Sequence, residues 1–160
     1  MADGGRVRIR MLRPADAALY PDFLADVTPQ DMRLRFLGGV AHLSPETIAR
    51  LTNFDPARAV AFAAVAEDTG KLLGVGRLHL DDEREAEYAV LVRSPLKGHG
   101  LGWLLMQQLI DSARRLGLQR MTGRVLVGNS TMLQMCRELG FRVTHEPGER
   151  GVRRVTLELR

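Results

Sequence analysis

The sequence predicts an α/β fold built on a mixed sheet of seven strands, and three observations lead there. Stretches whose apolar residues recur every second position are interleaved with stretches spaced as on a helix. The turn Glu67-Asp68-Thr69-Gly70 joins two apolar runs as a hairpin, which pairs its strands antiparallel. Later strands are separated by helical crossovers, which allow parallel pairing. The 160 residues suit a single domain, and 45% hydrophobic with 26% charged residues is an ordinary globular composition.

Each element has its own signal. Residues 6–12 alternate, Val7, Ile9 and Met11 against Arg8 and Arg10, and read as a strand. Pro14 and Asp16 open a helix expected over residues 14–27. Thr28-Pro29 caps a second, over 29–37, which Gly38-Gly39 stops. Ser44-Pro45-Glu46 starts a short third helix over 45–51. Strands over 59–67 and 71–80 flank the hairpin turn, and an acidic connection, Asp81 to Glu85, leads to a fourth strand over 86–93. Beyond a glycine-rich loop, Leu101, Leu104, Leu105, Leu109, Ala113 and Leu116 keep helical spacing until Gly117. A strand over 119–127, a helix over 129–139 closed by Gly140, and strands over 141–145 and 152–159 complete the chain.

Composition excludes several classes. One cysteine, Cys136, rules out an internal disulfide framework and a cysteine-rich zinc module. The longest apolar run, residues 59–66, falls far below the ~20 residues of a membrane span. The first residues lack the apolar stretch of a signal peptide, so a reduced, cytoplasmic setting is expected. The 23 basic and 19 acidic residues leave a charge of +4. Only Lys71 and Lys97 are lysines; the rest of the basic side is arginine, scattered and without a basic block. An acidic small ligand is favoured over nucleic acid, which the basic balance alone would permit.

The segment Val90-Leu-Val-Arg-Ser-Pro-Leu-Lys-Gly-His-Gly-Leu-Gly-Trp-Leu-Leu-Met106 carries the chemistry. Gly98, Gly100 and Gly102 alternate at a strand-to-helix junction, where glycine lets the backbone approach a ligand and leaves amide groups free to point at it. The helix N-terminus adds partial positive charge, and Arg93 and Lys97 are expected to add more. A diphosphate is the natural guest. The G-x-G-x-G spacing, past mid-chain and without a G-K-[ST], fits neither a dinucleotide fold nor a P-loop. The competing reading is a glycine-rich helix entry with no ligand.

Lys97-Gly-His-Gly-Leu-Gly102 resembles the [Q/R/K]-x-x-G-x-[G/A] element of the GNAT superfamily of acetyl-CoA-dependent N-acetyltransferases. Asn129 with Leu139-Gly140-Phe141 resembles their later N-(x)n-L-G-F element, and nearly the whole chain follows the family's order of elements. The resemblance implies a mixed, mostly antiparallel seven-stranded sheet flanked by helices on both faces. It implies that backbone amides from Lys97 through Gly98, His99, Gly100 and Leu101 to Gly102 hold the coenzyme A pyrophosphate. Pantetheine would lie against Leu91 and Val92, with Asn129 on the other lip. Acetyl-CoA is then the cosubstrate, and no metal is needed. A narrower likeness is to the acetyltransferase domain of bacterial protein-lysine acetyltransferases. It rests on Arg33-Leu-Arg-Phe36 followed by Gly38, Leu51 through Asp55-Pro-Ala-Arg58, and Met132-Leu133 through Cys136-Arg-Glu-Leu-Gly-Phe141. It points to a protein lysine as acceptor, with a small amine or polyamine as the rival.

Transfer to an amine needs a neutral nitrogen. A lysine ammonium is about 0.04% neutral at pH 7, a handicap of roughly 4.6 kcal/mol, and a positioned carboxylate removes that proton. Glu87 is the candidate base: strand periodicity sets Glu87, Ala89 and Leu91 on one face. Family members of the protein-acetylating type carry a glutamate at the matching position. The competing reading of Glu87 is a solvated strand-end charge among Asp81, Asp82, Glu83 and Glu85. His79 is a second candidate, or a structural histidine.

The family stabilises the oxyanion with a backbone N–H on a splayed fourth strand, here taken as that of Leu91. Many members place a tyrosine seven residues after the asparagine to protonate the leaving thiolate; this chain has Cys136 there, in the apolar stripe Met132, Leu133, Met135, Cys136 and Leu139. Ser130 or water would then supply the proton, or the reaction has no dedicated acid. Trp103, Met106 and Ile110 read as core. Arg33 and Arg35 border the region where the family opens its acceptor cleft, or form a solvated helix face. A module that senses acyl-CoA without turnover is the alternative outside the enzyme class.

Overall fold

The computed structural model describes residues 5–36 and 43–159; the Gly38-Gly39 stop expected for the second helix lies outside them. The strands are β1 (Val7–Met11), β2 (Ala59–Ala66), β3 (Leu72–Leu80), β4 (Glu85–Val92), β5 (Arg120–Leu126), β6 (Arg142–His145) and β7 (Val152–Glu158). The helices are α1 (Tyr20–Ala25), α2 (Pro29–Arg35), α3 (Pro45–Thr52), α4 (Leu101–Arg115) and α5 (Ser130–Glu138). The strands form one sheet in the order β1-β2-β3-β4-β5-β7-β6. Its pairs are antiparallel except β4–β5, the pair that the α4 crossover separates.

Helices cover both faces, as expected. On one face Leu12, Tyr20, Phe23, Val27, Met32 and Ile48 pack over Ala61, Ala63, Val65 and Val75. On the other, Met106, Leu109, Ile110 and Ala113 of α4 share a core with Leu133 and Cys136 of α5 and with Phe62, Leu78, Tyr88, Met121 and Val155 of the sheet.

The single helix expected over 14–27 divides in two. Residues Pro14–Leu19 form a 3-10 segment and α1 begins at Tyr20. Pro21, in the first turn of α1, has no N–H to bond back across the junction, so the two pieces meet rather than continue. Asp16 anchors the first piece. It is almost fully buried, accepts both terminal nitrogens of Arg10 at 2.8 Å, and accepts the Arg13 N–H at 2.9 Å. Burial alone would raise its carboxyl, but these donors hold it below the ordinary value. The expected helix starts are capped, Thr28 Oγ1 accepting from Asp31 and Ser44 Oγ from Thr47, and Asn129 Oδ1, expected only at the cleft lip, caps α5 by accepting from Met132.

Candidate active site

The site begins where β4 and β5 part. Their parallel ladder covers only Glu85↔Arg120, Ala86↔Met121 and Glu87↔Thr122; beyond it β5 pairs with β7 alone. Tyr88, the next residue of β4, lays its ring over Gly123 of β5 so closely that a Cβ there would overlap the ring. The Tyr88 hydroxyl reaches the Cys136 Sγ at 3.3 Å, which pins the ring between sheet and α5.

Register then decides which backbone groups line the gap. At the ends of the β3–β4 ladder, the Arg93 N–H donates to the Leu73 carbonyl at 3.0 Å and the Asp81 N–H to the Glu85 carbonyl at 2.9 Å. The register between them is unbroken, so antiparallel alternation puts the odd-numbered β4 residues in hydrogen-bonded pairs with β3. The Leu91 N–H therefore turns toward Val75 on β3 and away from the gap, contrary to the expectation that it is the oxyanion donor. The amides of Val90 and Val92 face the gap instead.

The glycine-rich loop forms the other wall. Gly98 and Gly100 take φ of +84° and +89°, and a Cβ at either would meet nothing within 4 Å, so the space above them is open. The Lys97 and His99 amides close a tight turn onto the Ser94 and Leu96 carbonyls. The amides left without a protein acceptor among the described residues are those of Gly98, Gly100, Leu101, Gly102 and Trp103. The cradle of free amides is thus shifted toward α4 relative to the expected Lys97-to-Gly102 span. His99 points into solvent, and the Leu101 side chain is buried in the core. Gly102 is helical, and a Cβ there would make an ordinary 3.7 Å contact with Met135 Cε.

Asp31 of α2 clamps this loop. Its carboxylate accepts from the Ser94 hydroxyl and, at 2.6 Å, from Lys97 Nζ. Burial opposes its ionisation, while those donors lower its carboxyl overall. Arg93 does not contribute to the cradle as expected. It is buried, and its guanidinium holds the Leu72 carbonyl at 2.6 Å, Asp22 Oδ2 at 2.7 Å and Asp26 Oδ2 at 3.2 Å.

Gap and cradle open into one cleft of about 950 Å³, which also reaches Glu87, His79, Asn129 and Ser130. Glu87 Oε2 accepts from Arg124 Nε at 2.8 Å, both side chains being about 40% exposed. His79 is the Cα partner of Glu87 across the β3–β4 ladder. Burial, then Arg77 and Arg35, lower its pKa, so the imidazole is neutral at pH 7. Trp103, expected in the core, is instead 37% exposed on the cleft wall, whereas Met106 and Ile110 are buried as expected. Cys136 is fully buried, and burial pushes its thiol up. Of the arginine pair on α2, Arg33 points to solvent and Arg35 lines the cleft. No cluster of three or more metal-ligand side chains occurs among the described residues.

Residues 28–141 match the model of the acetyltransferase (GNAT) family. The chain belongs to that family. It is 33% identical over 150 residues to the acetyltransferase PA5475 of Pseudomonas aeruginosa, covering 92% of this chain and 81% of that one. Over 58 residues it is 40% identical to the L-methionine sulfoximine/L-methionine sulfone acetyltransferase of the same species, a match spanning 36% of this chain and 34% of that protein. Among solved structures it superimposes on the GNAT domain of S. lividans PAT with a TM-score of 0.88 and 26% identity, covering 98% of this chain and 92% of that one. This GNAT protein is accordingly an acetyl-CoA-dependent N-acetyltransferase, and its sheet is the mixed, mostly antiparallel seven-stranded one the sequence implied. Missed in the sequence were Arg124, Asp31, Tyr88 and Trp103. An Arg or Asp in a single sequence carries no sign of which carboxylate or loop it will meet across the fold.

Proposed function

We propose that this protein acetylates a primary amine by direct attack on the acetyl-CoA thioester within the cleft between β4 and β5. The observation that carries the reading is the continuity of two sets of unpaired amides. The Gly98-to-Trp103 cradle meets a helix N-terminus and fits a pyrophosphate. The Val90 and Val92 amides stand along the gap, where a pantetheine arm and its thioester would lie. Leu91, Val92 and Asn129 line the same cleft and are assigned to the arm.

Acetyl-CoA supplies an activated acyl carbon as substrate; the rest is the work of side chains and backbone. Glu87 takes the proton of the attacking amine directly or through one water. Arg124 fixes the carboxylate meanwhile, and its contact loosens as Glu87 becomes neutral. The Val90 or Val92 N–H receives the developing oxyanion, a contact that strengthens in the transition state. A leaving thiol with a pKa of about 8.5 departs readily as thiolate, so no dedicated acid is required. This accommodates a buried Cys136 where relatives carry tyrosine, with Ser130 at the cleft mouth available to return the proton. A reducing cytoplasm belongs to this reading, supported by the one cysteine being a buried free thiol.

Two acceptors compete. A protein lysine rests on the loose motifs around Arg33–Phe36 and Met132–Phe141. A small amine is supported by the methionine sulfoximine and sulfone acetyltransferase, which by its name acts on amino acids. Incubating the protein with acetyl-CoA and panels of amino acids, polyamines and lysine peptides, with thiol release and product mass as readouts, tests the reading. Acetylated amine with stoichiometric thiol release is expected. Tight acetyl-CoA binding with no product from any panel would leave the acyl-CoA sensor as the function.

A further inference from the structure

The far end of the cleft holds a cation with no ion-pair partner among the described residues. Arg35, the last residue of α2, is half-buried and lines the cleft together with Glu87 and His79. Its guanidinium stacks on the Phe36 ring, 4.3 Å from the centroid, and has no hydrogen-bonded or ion-paired partner among the described residues. That leaves a five-donor fork unmatched in partly desolvated surroundings, the opposite of the paired state that buried charges adopt.

The neighbouring charges do not relieve it. Arg77 of β3 lies behind it, buried, with one nitrogen on the Leu51 carbonyl at 3.3 Å, and it repels Arg35. Tyr20 is buried and neutral at physiological pH, burial raising its phenol. His79 is neutral. Among the described residues Glu87 is the carboxylate whose field reaches Arg35, and its Oε2 is already engaged by Arg124. Burial and Arg77 together lower the Arg35 guanidinium to about 10, still cationic at neutral pH. Lys97, on the cleft wall beside the cradle, is by contrast neutralised by Asp31.

We propose that Arg35 is the receptor for a carboxylate on the acceptor itself, so that the substrate class is a compact amine carrying its own free acid group, as an amino acid does. This rests on the acetyl-transfer reading above and names its acceptor. A guanidinium fork grips a carboxylate with two parallel bonds, which fixes the ligand's orientation as well as its charge. With the acid group on Arg35, the amine of a short molecule is turned toward Glu87 on the same face of the sheet. A polyamine has no group for Arg35 and is repelled by it and by Arg77. A lysine within a protein chain presents its amine with no carboxylate attached nearby.

The test compares L-amino acids and 4-aminobutyrate with their carboxamide counterparts, spermidine and a lysine peptide, on wild type, Arg35→Gln and Arg35→Lys. Acetylation gives kcat/KM, and calorimetry on the coenzyme A-loaded protein gives acceptor binding independently of turnover. Wild type is expected to prefer at least one free acid over its amide by 100-fold or more. Arg35→Gln should reduce that preference to within about threefold, chiefly through KM, and Arg35→Lys should restore part of it. Acetyl-CoA affinity should be unchanged in both variants, which also verifies folding. Binding preference without turnover would uphold the acid-group receptor and remove the catalytic reading. Equal use of acids and amides by wild type, a preference that survives in Arg35→Gln, or faster reaction with spermidine or the peptide would overturn the proposal.

Discussion

At the scale of single residues, the proposed reaction turns on Glu87 and its contact with Arg124. The carboxylate is accessible enough to meet an amine, and the guanidinium 2.8 Å away holds it in one orientation. Replacing Glu87 by Gln keeps the shape and removes the proton acceptor. At saturating acetyl-CoA, kcat should fall by about 10². The residual rate should rise close to tenfold per pH unit, following the fraction of free amine. An unchanged rate from pH 6 to 9 would end the assignment, and a comparable loss in His79→Ala would transfer it to the neighbouring imidazole. Asp16 makes a second residue-scale prediction, on stability. Removing its charge as Asp16→Asn leaves Arg10 and the Arg13 amide facing a poorer acceptor in a nearly buried site. The cost should be about 1.5–3 kcal/mol, read as a shift in denaturant midpoint with an unchanged slope. A midpoint within error of wild type would mean the fork is ornamental.

At the scale of elements, the site exists because two adjacent parallel strands stop pairing after three residues. Tyr88 and Gly123 hold that geometry, since the ring occupies the volume a side chain at 123 would need. Gly123→Ala must push the ring off β5 and break its contact with Cys136. A loss of about 1–3 kcal/mol is expected from overpacking, together with weakened acetyl-CoA binding; a fully stable variant with wild-type affinity would show that the wedge does not set the gap.

What the sequence disclosed and what it hid divide along the same line. Strand alternation, helix spacing, caps and the G-x-G-x-G junction are local, and they placed every strand, and every α-helix but the first, within a few residues. The inward turn of Arg93, the outward turn of Trp103 and the direction of the Leu91 amide depend on partners far away in sequence. The Leu91 amide follows from an inter-strand register that one sequence does not contain. The break at Tyr20 was legible in principle through Pro21, but Pro in a first helical turn looks the same whether it opens a helix or continues from a 3-10 segment.

Across the whole molecule, two carboxylates, buried Asp16 and partly buried Asp31, tie segments together and make the fold acid-sensitive. Asp16 and Asp31 both titrate lower in the folded chain than in the unfolded one. The folded state therefore binds fewer protons, and the stability these groups confer is complete above about pH 5 and lost progressively below about pH 4. Asp31 anchors the cradle loop through Ser94 and Lys97, so acetyl-CoA affinity should decline over the same acid range as stability. Affinity constant down to the point of unfolding would separate the clamp from the cradle.

The cradle itself is the claim on which the fold's function turns, and Gly102 offers the least disruptive access to it. It is helical, lies on the cleft, and has room for a Cβ. Isothermal calorimetry with acetyl-CoA on wild type, Gly102→Ala and Gly102→Asp is the most direct measurement. Saturable binding that survives in Gly102→Ala and weakens at least tenfold in Gly102→Asp, about 1.4 kcal/mol or more, is the predicted result. Equal affinity in all three proteins, or no binding by wild type, would contradict it.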